Sequence, residues 1–283
     1  MSSAVPTRPR PIIGWGLHDG LVVARRNLIQ TIRVPELLFF SIVQPVIFVL
    51  LFAFVFGGAI PIPGADPTTA PDASIYRQYL MPGIFGQTVA FASAAATVGL
   101  AEDMKRGIID RFRSLPMASG GVLIGRTFAD ATRQILVLFV LSITGLLIGW
   151  RINDGVLNAI YAYLLLLLIA YTVAWIGSWI GLYMPNPETA QTAGLVWLFP
   201  LTFLSNAFVP ITAMPAWLQP IAQWNPISSL VLSTRELFGN PTGIVGDAWP
   251  QQNPIAYTLI SCAVLIAIFA PLAVRRYRTS TSR

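Results

Sequence analysis

Apolar residues run through this chain in long stretches, broken by short polar segments that carry most of its arginines. An α-helix rises 1.5 Å per residue, so about 20 apolar residues cross the roughly 30 Å hydrocarbon layer of a bilayer. Six stretches reach or approach that length: Leu37 to Phe56, Tyr79 to Leu100, Gln134 to Trp150, Val156 to Tyr183, Gln191 to Ile211 and Ile255 to Val274. The pattern predicts an all-α membrane protein with six transmembrane helices. The second stretch is the least apolar, rich in Ala, Gly and Ser around Phe91 and Ala94 to Ala96, which suits helix against helix better than helix against lipid. Tyr161, Tyr163, Trp179 and Tyr183 edge the fourth, as an aromatic belt does at membrane interfaces.

Composition agrees with this reading. Of 283 residues 55% are hydrophobic and 11% charged, whereas soluble domains are about a quarter charged; the mean hydropathy is +0.66. A water-soluble core of this size cannot hide so much apolar surface, which excludes ordinary soluble enzymes. The formal charge of +6 fits either a nucleic-acid partner or a membrane topology, and its placement decides. Arg8, Arg10, Arg25, Arg26 and Arg33 precede the first stretch, and Lys105, Arg106, Arg111, Arg113 and Arg126 lie between the second and third. Arg275, Arg276, Arg278 and Arg283 follow the sixth. Basic residues collect on the cytoplasmic side, so these regions are expected inside the cell, with both termini cytoplasmic and no nucleic acid bound. The alternate loops hold only Arg77, Arg151 and Arg235. No apolar core of a leader precedes Leu37, so no cleaved signal peptide is expected.

The rare residues remove further chemistry. With one Cys, Cys262, and one His, His18, a Cys/His zinc cluster, an HExxH site and an intrachain disulfide are all impossible. The lone thiol is expected to pack toward lipid. The single lysine, Lys105, follows Met104 and not Gly, so there is no phosphate-binding loop of the Walker type. Asp130 and Arg133 stand just before the apolar part of the third stretch, with Arg126 one turn earlier. They are either a functional ionisable group or an ion pair local to one helix.

Segments outside the spans also show pattern. Leu17, Leu21, Ala24, Leu28 and Ile32 recur at helical spacing opposite Asp19, Arg26, Gln30 and Arg33, which predicts an amphipathic helix in the cytoplasmic headgroup layer. It either anchors the N-terminus or docks a partner. In the first inner loop Glu102 and Arg106 are four apart, Met104, Ile108 and Leu115 share a face, and Gly107 breaks the segment before Asp110, Arg111 and Arg113. This reads as a short charged helix in the cytoplasm or as an ordinary basic inner loop. Between the fifth and sixth stretches, Trp217, Ile221 and Trp224 form an apolar stripe after Pro215. Asn225 then caps a second helix with Pro226 at its first position, running through Leu230, Thr234 and Leu237 to Gly239. These helices dip into the outer leaflet, cover an external mouth, or form an interfacial belt.

The run Phe199-Pro-Leu-Thr-Phe-Leu-Ser-Asn-Ala-Phe-Val-Pro210, with Met214-Pro-Ala-Trp-Leu-Gln219 and Trp224-Asn-Pro226, resembles the outer segment of type-2 ABC exporter permeases, particularly the daunorubicin-resistance branch. Arg106-Gly107, Asp110-Arg111-Phe112, Ser114-Leu-Pro116 and Gly125-Arg126 are similar to the family's cytoplasmic segment. The likeness covers Leu17 to Arg278, and the Pro-rich stretch Pro61 to Pro71 lengthens the first outer loop. It implies a cytoplasmic N-terminus with an interface helix over 1–36, a six-span domain over 37–274, and a cytoplasmic tail over 275–283. Within that domain it implies a coupling loop at 101–118 and re-entrant outer helices at 212–254, before the sixth span. It further implies two ABC ATPase subunits that bind ATP and Mg, a second identical or related permease chain, and location in the cell membrane. The cargo would be amphipathic or hydrophobic, drug or lipid-like, moved outward from the cytoplasm or inner leaflet. No cofactor belongs to this chain itself. Glu102, Arg106, Gly107, Asp110 and Arg111, with Arg25 and Arg26, become candidates for contact with the ATPase. Gln44, Gln87, Ser205 and Asn206 become candidates for the cargo route, or for interhelical hydrogen bonds alone. Three other readings stand beside it: an ion-gradient-driven transporter, an ABC exporter of a polysaccharide or glycolipid, and a membrane-embedded enzyme. The spans lack the central acid that the first normally needs and the nucleophile-base pair or metal set that the last needs.

Overall fold

The computed structural model describes residues 35–57, 73–109, 119–243 and 247–279. The predicted amphipathic helix with Arg25 and Arg26, the stretch Pro61 to Pro71, and Asp110, Arg111 and Arg113 lie outside these residues. Among the described residues the regular structure is helical: α1 (Pro35–Val55), α2 (Ala73–Lys105), α3 (Ser119–Leu147), α4 (Gly155–Gly181), α5 (Pro187–Phe203), a 3-10 turn (Ile211–Ala213), α6 (Gln219–Gln223), α7 (Pro226–Phe238), α8 (Trp249–Gln252) and α9 (Pro254–Thr279). Four of these, α2, α3, α4 and α9, are long and apolar enough to cross a membrane, and α1 adds a shorter apolar helix over Phe39–Val55. The chain is therefore an all-α, multi-pass membrane protein with at least four spanning helices.

Of the four spanning helices α2 is the most enclosed, as its small residues predict. Of the apolar stretch of α2, 72% is buried, and of α4 61%, against 28% for α3 and 11% for α9. Lipid gives helices no hydrophobic reason to associate, so close packing of small side chains holds them together. Gly177 of α4 meets the Ser93 carbonyl of α2 so closely that a Cβ would overlap it. Around this pair, α5 and α7 pack on α2, while α3, α7 and α9 pack on α4. Phe85, Trp150, Tyr163 and Phe238 form one aromatic cluster with ring centroids 5.2 to 6.2 Å apart. Tyr163 thus departs from the expected belt: it is half-buried, and its hydroxyl meets that of Ser142 on α3 at 2.6 Å.

Among the helix limits that differ from those predicted, two have identifiable reasons. α3 begins at Ser119, well before Gln134, because Arg126 in its polar first half is paired with α2 and has no need to reach water. α5 ends at Phe203, short of Ile211, because the Asn225 side chain donates to the carbonyls of Leu201 (2.7 Å) and Leu204 (3.0 Å) and so closes its last turn. Cys262, expected to face lipid, is buried against Thr172 of α4.

Candidate functional sites at the two ends of α2

α2 carries its acidic residues at one end only. Its apolar part runs without interruption into Glu102, Asp103 and Lys105, followed by Arg106. Gly107 ends it at φ 67°, a left-handed conformation that glycine adopts without a Cβ penalty. The predicted charged helix of the inner loop is thus, as far as Lys105, a continuation of α2. Arg106 lies 3.6 Å from Glu102, with both side chains exposed, so the pair is worth about 0 to 1 kcal/mol. The second pair is enclosed: Arg126 of α3 passes over Gly99 and binds Asp103, the two side chains being 13% and 17% exposed. Arg126 therefore does not pair with Asp130, as the sequence suggested. The Oδ2 of Asp130 and the Oε1 of Gln134, one turn apart, are buried without hydrogen-bond partners. Near the same end of the bundle, Arg276 of α9 stacks on the Tyr183 ring at 4.3 Å.

The opposite end of α2 is held by uncharged acceptors. Arg77 donates to the Ile148 carbonyl (2.6 Å), and Gln78 donates to that of Gly149 (3.0 Å). The Gln78 Oε1 accepts from Asn240 (2.9 Å), whose own Oδ1 accepts from the fully buried Trp150 indole (2.8 Å). These bonds join the start of α2, the turn between α3 and α4, and the segment following α7.

α7 forms as the sequence predicts: the Asn225 Oδ1 accepts from Ile227 N at 2.9 Å, Pro226 follows, and Gly239 closes the helix. It does not lie on the surface, however. Ile227 to Arg235 are buried among α2, α4 and α9, so Arg235, which the sequence placed in an outer loop, is fully enclosed. Its Nε donates to the Tyr79 carbonyl (3.0 Å), and one terminal nitrogen donates to the carbonyls of Asn206 (2.9 Å) and Ala207 (3.3 Å). The guanidinium lies 3.4 Å from the centroid of the Tyr79 ring, a cation-π contact strengthened by the absence of water. Tyr79 Oη adds a further bond to the Asn206 carbonyl (3.1 Å). Buried irregular backbone needs internal donors, and Arg235 supplies them to the turn after α5. At the same point the Ala207 carbonyl approaches Gly83 so closely that a Cβ would overlap it. The other terminal nitrogen of Arg235, Tyr76 Oη and Asn206 Oδ1 are buried without partners.

The four residues proposed for a route are divided by this arrangement. Ser205 and Asn206 form the turn beneath Arg235, where the Ser205 Oγ donates to the Thr202 carbonyl (2.6 Å) and Asn206 N donates to the Ser228 Oγ (3.2 Å). Gln87 is buried on α2, whereas Gln44 is exposed on α1. The sequence offers one signal for the arginine that it misplaced: no Asp, Glu, Lys or Arg occurs between Glu188 and Arg235.

Helices long and apolar enough to cross a bilayer, packed at the centre through small residues, define a multi-pass membrane protein. The ABC-2 type transporter family matches residues 20–238, and the chain belongs to that family. It is 33% identical over 273 residues to a daunorubicin resistance ABC transporter permease of Streptomyces coeruleorubidus, covering 96% of this chain and 90% of that one. A doxorubicin resistance permease of Mycobacterium tuberculosis is 27% identical over 237 residues, 82% of this chain and 80% of its own. A putative transport permease of Cyanophora paradoxa is 23% identical over 255 residues, 89% and 85% of the two chains. The protein is thus a multi-pass ABC transporter permease subunit, distinct from the ATPase.

Proposed function

We propose that this chain is one of two permeases in an ATP-driven exporter of the cell membrane, which carries an amphipathic or hydrophobic cargo outward. Two separate ATPase subunits bind ATP and Mg, and both termini of the permease are cytoplasmic. α1 and α5 complete six spans, with α6 and α7 as re-entrant outer helices. The observation that carries this reading is the continuity of α2: one helix bears the exposed side chains of Glu102 and Arg106, with Gly107 following, at one end and grips Arg235 through Tyr79 near the other. A push by the ATPase on the first end reaches the second without crossing a loop. Asp110, Arg111, Arg25 and Arg26 extend the proposed docking surface, and Gln44, Gln87, Ser205 and Asn206 the proposed route. The names of the relatives, daunorubicin and doxorubicin resistance permeases, support a drug-like cargo over a polysaccharide. In vesicles holding the chain and its ATPase, ATP should drive accumulation of an amphipathic dye, and a Walker-lysine substitution in the ATPase should abolish it. Accumulation driven by a proton gradient without the ATPase would instead favour a secondary transporter.

A further inference from the structure

Arg235 brings a full positive charge into the bundle with no carboxylate to balance it. Its side chain is 0% exposed, and among the described residues no acid stands within ion-pair distance, Glu236 beside it on α7 included. Enclosing an ion away from water is costly unless it is paired and fully hydrogen-bonded. Three carbonyls and the Tyr79 ring meet the guanidinium, but these are dipoles and a quadrupole and carry no net charge. One terminal nitrogen of Arg235 has no partner at all.

Two further groups nearby are in the same condition. Tyr76, three residues before Tyr79 and so on the same side of α2, lies within electrostatic reach of Arg235, and its hydroxyl is buried without a partner. Asn206, whose backbone carbonyl accepts from both Arg235 and Tyr79 Oη, has its Oδ1 buried without a partner. Three such groups at one place are unusual in a folded protein. The Arg235 N–H and the Tyr76 O–H are donors, and the Asn206 amide offers an acceptor or two donors according to which way its plane is turned. Donors around an unbalanced cation favour an anion. Enclosure sets the size of that anion: Tyr76 is 1% exposed and Asn206 5%, which suits a single-atom ion and not a lipid phosphate, whose glycerol and chains must stay outside.

We propose that Arg235, Tyr76 and Asn206 form a halide site, occupied by chloride, in which the unpartnered N–H of Arg235 and the Tyr76 hydroxyl hold the ion and the ion neutralises the guanidinium. The site lies where the start of α2, α7 and the turn after α5 meet, so chloride strengthens that joint whichever cargo the chain carries.

The test uses the purified full chain in detergent at constant ionic strength, with sodium gluconate exchanged stepwise for sodium chloride. The midpoint of thermal unfolding should rise saturably, by about 5 to 10 °C at a hundredfold excess over the dissociation constant, and bromide should act as chloride does. The NMR line of chloride should broaden when the protein is added and sharpen again as bromide displaces the ion. Tyr76→Phe keeps the ring and removes only the donor, so it should fold and yet bind chloride about tenfold more weakly. A midpoint that rises equally in gluconate and chloride would show that water satisfies these groups. No rise and no broadening would show that the carbonyls and the ring suffice. Equal chloride affinity in the wild type and Tyr76→Phe would place the ion elsewhere. Each of these three results overturns the proposal.

Discussion

Arg106 and Arg235 stand near opposite ends of the same helix and obey different physics. Arg106 is exposed beside the carboxylate of Glu102, where water already solvates both charges and the pair contributes little to the fold. Arg235 is fully enclosed, with three carbonyls and a tyrosine face as its partners, in surroundings where losing a partner strands buried polar groups. An exposed arginine is thus free to be read by another protein, while a buried one holds a turn that lipid cannot satisfy. The difference should separate residues whose substitution stops function from residues whose substitution loosens the bundle.

The largest effect should come from removing the buried arginine. Arg235→Met removes a donor from three carbonyls, of which that of Asn206 keeps the Tyr79 hydroxyl, and is expected to cost about 3 kcal/mol or more, read as an earlier loss of monodispersity when the detergent-solubilised protein is heated. Arg235→Lys should recover only part of this, because one ammonium cannot reproduce the planar fork of donors. Gly83→Val comes next, at about 1 to 3 kcal/mol or more, since its side chain collides with backbone at Ala207 and not with a movable side chain. Asp103→Asn, which weakens the partly shielded pair with Arg126, should cost about 1 kcal/mol. Arg106→Glu should change stability by no more than about 1 kcal/mol and yet reduce ATP-driven transport. If Arg106→Glu loosened the fold as much as Arg235→Met, the contrast between the two arginines would fail.

The helices were legible because their causes are local. Apolar length marks a span, Ala, Gly and Ser mark the packed α2, and the Asn225, Pro226 and Gly239 signals delimit α7. Depth was not legible. Arg235 sits in a short amphipathic helix that any reading by charge places in water, and its burial depends on carbonyls freed by a turn some thirty residues earlier, at Asn206 and Ala207. The pairing of Arg126 failed for a related reason. Sequence spacing offers Asp130 on the same helix, but the preferred partner, Asp103, is brought close only by the packing of α3 on α2 across Gly99. Glu102, Arg106 and Gly107 were readable from spacing as a charged segment broken by a glycine, whereas the turn at Ser205 and Asn206 was not, because the apolar run carries the fifth stretch on to Ile211.

The central claim is that α2 carries a stroke from a separate ATPase into the outer half of the bundle. Its most direct test compares ATP-dependent dye accumulation in inverted vesicles containing the ATPase with either the wild-type chain or Arg106→Glu, at equal permease content and equal thermal stability. The account predicts accumulation for the wild type and loss of most of it in Arg106→Glu, with hydrolysis no longer stimulated by cargo. Full transport by Arg106→Glu, or accumulation without the ATPase, would contradict it.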